Sequence, residues 1–475
     1  ILYESSRAHM TFQRVKLGDI ATATPKKQSR KKPNVLLIVS EDNGPELGCY
    51  GDLYARTPHL NRLARDGVRF ATAWVPYSVC SPSRACFLTG RYPHRNGQLG
   101  LATHKFAMYE KWPNLFSLLK SAGYRTALLG KIHVNPESAF PLDRHWNPSS
   151  LISFGKRDVR RIAQEAGKFI RAGDAPFVMS VNFPDSHYPL HRQLNGLPTF
   201  PQTAADVKTL PWIGVDNERL RGHVADYYNC LARLDTGVGL LLEELERSGK
   251  ADDTLVIYLG DHGAQFSRGK TSVYEAGLRV PLIVRWPGRA KAGHVSNELV
   301  SSLDILPTVL QATHVKPPAG LDGRPLQPLL EGRFVKWREH LFAHKMGAAA
   351  HFYYPQVAIR DMRYKLIASP LRRLNPPAQI YTDNSGVFFI AGTRKDEVAA
   401  ASSLIQKAYA TYHNPPPVEL YDLQADPYEF KNLANKPKLA AVQKRLHSRL
   451  RDWQRDTGDP LVDAAALKRY TTEID

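Results

Sequence analysis

Cysteine is scarce in this chain. There are four in 475 residues: Cys49, Cys80, Cys86 and Cys230. Their number and scatter exclude a disulfide framework, and no Cys-x-x-Cys pair suggests a dithiol or a zinc ribbon. Long apolar runs are also lacking. None approaches the ~20 residues of a membrane span, so no span is expected. No Asn-x-Ser/Thr acceptor free of proline occurs. No signal-peptide pattern is visible either. Acidic residues are in deficit: 45 Asp plus Glu stand against 64 Lys plus Arg, a formal charge of +19. That balance favours anionic partners such as sulfated polysaccharide. Nucleic acid is set aside, because no helix-turn-helix, zinc-finger or RNP-type pattern supports it.

What is present suffices for a large core. Hydrophobic residues make up 43% of the chain, and the length suits one large domain with a smaller partner. Residues 1–33 read as a tag-like N-terminal arm that ends in the basic stretch 22–33 (TATPKKQSRKKP). Asn34 to Ser40 (NVLLIVS) is a continuous apolar run, as a buried parallel strand would be. Similar runs recur at Thr126–Gly130, Phe177–Phe183, Thr254–Leu259 and Pro281–Trp286. Helical patterns lie between them. One is marked by Leu115, Leu118, Leu119 and Ala122 and stopped by Gly123; another runs from about His223 to Arg247. The alternation predicts an α/β domain over 34–348, with a large, mostly parallel sheet between helices. Over 349–475, short strand candidates such as Tyr364–Ala368, Pro-rich loops and a helix near Leu439–Arg455 predict a smaller α+β domain.

Open parallel sheets bind ligands beyond the carboxyl ends of their strands. Four predicted strands deliver polar groups there: Glu41 and Asp42; Lys131 and His133; Asp185 and His187; and Asp261, His262, Arg268 and Lys270. Four such endings favour one shared site. Glu41, Asp42 and Asp261 are hard oxygen donors suited to Ca²⁺ or Mg²⁺, while His262 alone would point to a transition metal. Arg84, Lys131 and Lys270 can hold an oxyanion. His133 and His187 are candidates for general base and general acid, with the assignment open between them. Asp185 is a candidate either for a substrate contact or for orienting His187. Cys80 opens the run Cys80-Ser81-Pro82-Ser83-Arg84, continuing to Leu88-Thr89-Gly90-Arg91. Pro82 can open a helix, whose first N–H groups would face an anion. Taken alone, Cys80 could be a plain thiol nucleophile.

The stretch from Cys80 to Arg91 resembles the signature of the type I sulfatases, Cys-x-Pro-Ser-Arg followed by Leu-Thr-Gly-Arg. The likeness extends from Asn34 to about Asn435. It implies an alkaline-phosphatase-like fold and a Cys80 converted by a maturation enzyme to formylglycine, whose hydrated aldehyde attacks sulfur. It also implies Glu41, Asp42, Asp261 and His262 as ligands of calcium, with magnesium the alternative, and a homodimer. Glu41 stands where the family usually has Asp. Within the family the chain is similar to the heparan N-sulfatase subfamily, through Gly130 to Val134 (GKIHV), Arg268 to Gly277 (RGKTSVYEAG) and Tyr353-Tyr354-Pro355. Met346 to His351 (MGAAAH) lacks the His- and Glu-rich character of such a pocket. A sulfated saccharide is therefore the expected substrate, with N- and O-sulfate both open. His104, His344, His351 and Tyr353 are pocket candidates. Two alternatives stand: a phosphonate monoester hydrolase or phosphodiesterase of the same superfamily, and an inactive basic glycan-binding protein. A periplasmic or secreted, bacterial-type location is expected, with the cytoplasm as the alternative.

Overall fold

The strand β1 (Asn34–Ser40) is buried along all seven residues, as its unbroken apolar sequence requires. It lies at the centre of the larger sheet in a computed structural model that describes residues 32–148, 155–349, 353–371, 391–463 and 465–466. Along the chain β1 is followed by α1 (Pro58–Arg65), β2 (Val68–Trp74), α2 (Cys80–Thr89), α3 (Leu115–Ser121), β3 (Arg125–Leu129) and β4 (Arg144–Trp146). Then come α4 (Val159–Arg171), β5 (Phe177–Phe183), α5 (Glu218–Arg247), β6 (Thr254–Gly260), β7 (Arg279–Val280), β8 (Leu282–Arg285), β9 (His294–Ser301) and α6 (Ile305–Ala312). The strand order is β4-β3-β5-β1-β6-β8-β2-β7, with β9 paired to β2. β1 pairs in parallel with β5 and β6, and β3 in parallel with β4 and β5.

The run at Pro281–Trp286 forms β8, which is antiparallel to both β6 and β2. Only a loop and the single turn Glu275–Leu278 separate it from β6 apart from the two-residue β7. No crossover helix is available to return the chain in parallel. The long helix also starts earlier than its apolar stripe suggests. Asn217 caps it by accepting the Leu220 N–H at 2.9 Å, so a polar first turn precedes the stripe.

A second sheet, β10 (Leu341–Lys345), β11 (Gln356–Arg360), β12 (Tyr364–Ala368) and β13 (Val418–Asp422), is antiparallel throughout. It begins before residue 348, and α7 (Ser403–His413) precedes β13. Alternation along its strands divides its two faces. Val357, Ile359, Leu366 and Leu420 pack with Leu446, Leu450 and Trp453 of α8 (Ala440–Thr457). Ala358 and Ile367 point the other way into the main core. Among the described residues no helix is long and apolar enough to cross a membrane.

Candidate active site

α2 begins at Cys80, and all ten of its residues are buried. Val79 supplies no side-chain cap to the N–H groups of the first turn. Pro82 fits there because its missing N–H falls where no intrahelical partner exists. Gly90 ends the helix at φ 66°, a conformation glycine adopts without strain. Two serines of the motif hold it in place. The Ser83 hydroxyl donates to the Asp261 carbonyl, and Ser81 Oγ accepts the Ala102 N–H at 2.9 Å.

The structure brings the residues that follow β1, β3 and β6 to this helix start. Cys80 Sγ lies 3.2 Å from His262 Nε2, which lies 3.3 Å from Asp42 Oδ1 and 3.7 Å from Asp261 Oδ1. Donor atoms of Asp42, Cys80 and His262 all fall within 4.8 Å of one another, close enough to share one ion. Asp261 joins them by accepting the Asp42 N–H at 2.9 Å. Glu41 sits further out, where Lys131 Nζ donates to it at 3.0 Å and Arg84 Nη2 approaches to 3.5 Å. Lys270 Nζ binds both oxygens of Asp42, at 3.1 and 2.9 Å, and Arg84 Nη2 donates to Asp261 Oδ2 at 3.0 Å.

All three carboxylates are at most 1% exposed, so burial works against their ionisation. Lys131 and Arg84 overcome it at Glu41, and Lys270 does so at Asp42; both stay below the ordinary carboxyl range. Burial prevails at Asp261 and raises it, although His262 and Arg84 oppose the change. At His262 burial opposes the imidazolium, but Asp261 and Asp42 lift its pKa to about 9. Burial likewise resists ionisation of the Cys80 thiol, yet Lys131, Lys270 and His262 hold it well below the usual thiol range. Buried carboxylate oxygens of Asp42 and Asp261 converging with the His262 imidazole make a donor set that fits a divalent cation.

His133 stands beside Cys80 and helps to lower the thiol. Its two ring nitrogens are buried, and neither finds a partner in hydrogen-bond geometry among the described residues. His187 is half-buried, and its Nδ1 lies 2.6 Å from the Tyr188 carbonyl. A carbonyl only accepts, so Nδ1 carries the proton. The same ring lowers both Glu41 and Asp42.

Two expected pocket residues are engaged elsewhere. The Asp185 carboxylate accepts from Arg157 at 2.7 Å and from Arg233 at 2.6 and 2.8 Å, all fully buried. His344 lies buried in β10 with Nε2 3.2 Å from Asp459 Oδ1, ring to ring with His94. His104 is exposed in the turn anchored by Ser81, at the rim of the helix start. Tyr353 packs against the cluster under α8, and His351 lies outside the described residues. The sequence reading missed Asn182. Its Oδ1 accepts from Arg84 Nη1 at 2.8 Å, while its own NH₂ is held by the Leu129 carbonyl and Ser180 Oγ. A lone amide near the end of a largely apolar strand was the available signal.

Comparison with known proteins agrees with this geometry. The family described as Sulfatase matches residues 33–315, and N-sulphoglucosamine sulphohydrolase, C-terminal, matches residues 260–371. Human N-sulphoglucosamine sulphohydrolase is 33% identical, covering 92% of each chain. An ulvan-active sulfatase of Formosa agariphila is 30% identical over 91% of this chain and 82% of its own. A solved structure in complex with D-glucosamine-2-N,6-O-disulfate superposes with TM-score 0.66 at 20% identity, covering 90% of this chain and 99% of that one. The phosphonate monoester hydrolase of Agrobacterium radiobacter, at TM-score 0.65 and 22% identity over 90% of this chain and 96% of its own, shares the fold alone. On this evidence the chain belongs to the sulfatase family and is a hydrolase of sulfuric esters or sulfamates.

Proposed function

We propose that this enzyme removes sulfate from a sulfated saccharide, with the N-sulfated glucosamine unit as first candidate and an O-sulfated polysaccharide as second. The observation that carries the reading is the meeting of Cys80, His262 and Asp42 at a buried helix start ringed by Arg84, Lys131 and Lys270. The likeness to the human sulphohydrolase over nearly the whole chain supports the N-sulfated unit. The ulvan-active relative supports the polysaccharide. Ala348 clusters with Tyr77, Val79, Cys80 and Leu101, so this segment adds a small apolar side chain to the wall near position 80.

Glu41, Asp42, Asp261 and His262 would hold the divalent cation, calcium in this reading. A formylglycine made from Cys80 by a maturation enzyme supplies the nucleophilic hydrated aldehyde, and the cation supplies positive charge beside it. The chain's own residues do the rest. Lys131 and Lys270 place fixed charge where sulfate oxygens would sit, and Arg84 neutralises Glu41 and Asp261 behind them. His133, whose ring stands beside position 80 and interacts with it, takes a proton there. His187 binds the Tyr188 carbonyl through Nδ1, which assigns proton delivery to Nε2 and to the leaving oxygen or nitrogen.

The test is sulfate release by the matured protein from N-sulfoglucosamine and from an O-sulfated polysaccharide, with phenylphosphonate monoesters as the control. Sulfate release that is abolished by chelation and restored by calcium is expected. A large preference for the phosphonate, or full activity in metal-free protein, would reject the reading.

A further inference from the structure

Away from the cluster at Cys80, Arg157, Asp185 and Arg233 form a second group of buried charges, each 0% exposed. Arg157 and Arg233 converge on one carboxylate. Burial favours the neutral acid, yet the two guanidinium groups hold Asp185 below its usual range. Since arginine does not release its proton in proteins, the trio carries one excess positive charge shielded from bulk solvent.

The remaining N–H groups show where that charge is spent. Arg157 Nη2 donates to the carbonyls of His187 at 2.6 Å and Pro189 at 2.7 Å. Arg233 Nη1 donates to the carbonyls of His191 at 3.2 Å and Leu197 at 3.4 Å. The carbonyls of three alternate residues, 187, 189 and 191, are thus gripped from one side. On the other side the same loop is tied to the backbone of Glu41 and Asp42 at the end of β1. Glu41 N–H donates to the Asp185 carbonyl at 3.1 Å, Ser186 N–H to the Glu41 carbonyl at 2.7 Å, and Ser186 Oγ to the Asp42 carbonyl at 3.1 Å. The backbone unit that bears the His187 imidazole is therefore held by charge-assisted bonds from the two arginines on one side and by neutral bonds to the Glu41 and Asp42 backbone on the other.

We infer that Arg157 and Arg233, acting through Asp185 and these loop carbonyls, are positioning residues that hold His187 where it can protonate the leaving group. This rests on the reading of His187 given under Proposed function. Proton delivery is worth about 10²–10⁴-fold when the leaving group is poor and little when it is good, whereas a general loss of stability affects both alike.

The experiment measures kcat and KM for phenyl sulfate, with a poor leaving group, and 4-nitrophenyl sulfate, with a good one. The proteins are the matured wild type, His187→Ala, Arg157→Lys, Arg233→Lys and the double variant Arg157→Lys/His187→Ala. His187→Ala should lose about 100-fold in kcat on phenyl sulfate and far less on the nitrophenyl ester. Arg157→Lys and Arg233→Lys should lose about tenfold on phenyl sulfate, with KM little changed and the nitrophenyl rate least affected. The double variant should be no slower than His187→Ala alone, because Arg157 then has nothing left to position. Equal losses on both esters, or losses that multiply in the double variant, would overturn the inference. If a lysine variant is insoluble, the isosteric Asp185→Asn takes its place, with the same substrate split expected. If His187→Ala shows the split and the arginine variants do not, only the clamp fails. If His187→Ala shows none, the role given to His187 fails and takes the clamp with it.

Discussion

Arg84 shows how a single residue can be read in part. The motif at Cys80 marks it as an anion-binding group, and the structure instead directs its guanidinium to Asp261, Glu41, the Lys131 carbonyl and Asn182. Its work is to keep the acidic floor of the site in place. Asn182 orients it, so Asn182→Ala should lower kcat about tenfold or more with a smaller change in KM, since a bond to a charged group is worth about 1.5–3 kcal/mol. Steady-state kinetics on an aryl sulfate checks this, and an unchanged kcat would contradict it. Lys345 gives a second expectation. It is buried, and among the described residues its Nζ meets Gln356 Oε1 at 3.3 Å and the face of Tyr354 at 5.9 Å. Burial lowers its pKa to about 7, with Glu419 opposing. The folded state therefore disfavours the charged form. The resulting penalty is complete below pH 7 and fades as pH rises toward the ordinary lysine value. Lys345→Met should raise Tm, by more at pH 6 than at pH 10. A Tm gain independent of pH would count against this account.

At the scale of elements, the two sheets meet through a buried ionic knot as well as through apolar packing. Glu275, in the turn after the site loop, accepts from Trp74 of β2 at 3.2 Å, from Arg360 of β11 at 2.7 Å and from Lys365 of β12 at 3.2 Å. Burial opposes its ionisation, but Arg360 and Lys365 hold its pKa at about 2. A carboxyl depressed by folding stabilises the native state above its unfolded pKa and loses that contribution as pH falls toward 2. Glu275→Gln should lower Tm near neutrality and flatten the acid limb of the stability curve below about pH 4.5. An acid limb as steep as the wild type's would show that the knot contributes little. This scale also separates what was legible in the sequence from what was not. β1, β5 and β6 were, because central parallel strands are apolar on both faces and stand out as unbroken runs. β2 was not, because its VRFATAW is only partly buried and mixes polar with apolar residues. The direction of β8 was hidden for a different reason. An apolar run fixes that a strand is buried, while its direction depends on what connects it to its neighbour.

At the scale of the whole molecule, the site was legible wherever a polar group directly followed an apolar run, as at Asp42, Lys131 and Asp261. It was illegible where function depends on pairing across the chain. Nothing near Arg157 or Arg233 announces that they share Asp185, because ion pairs 28 and 48 residues apart leave no local pattern. The charge of +19 is likewise a property of the whole surface, suited to approach by a polyanion but silent on which one. All of these parts converge on position 80. The most direct test is to measure, in several preparations of different maturation, sulfate released per protein molecule against the fraction of position 80 present as aldehyde, read by peptide mass spectrometry. The account expects activity to rise in proportion to the converted fraction and to vanish at zero. Full turnover by protein whose Cys80 is entirely thiol would contradict it.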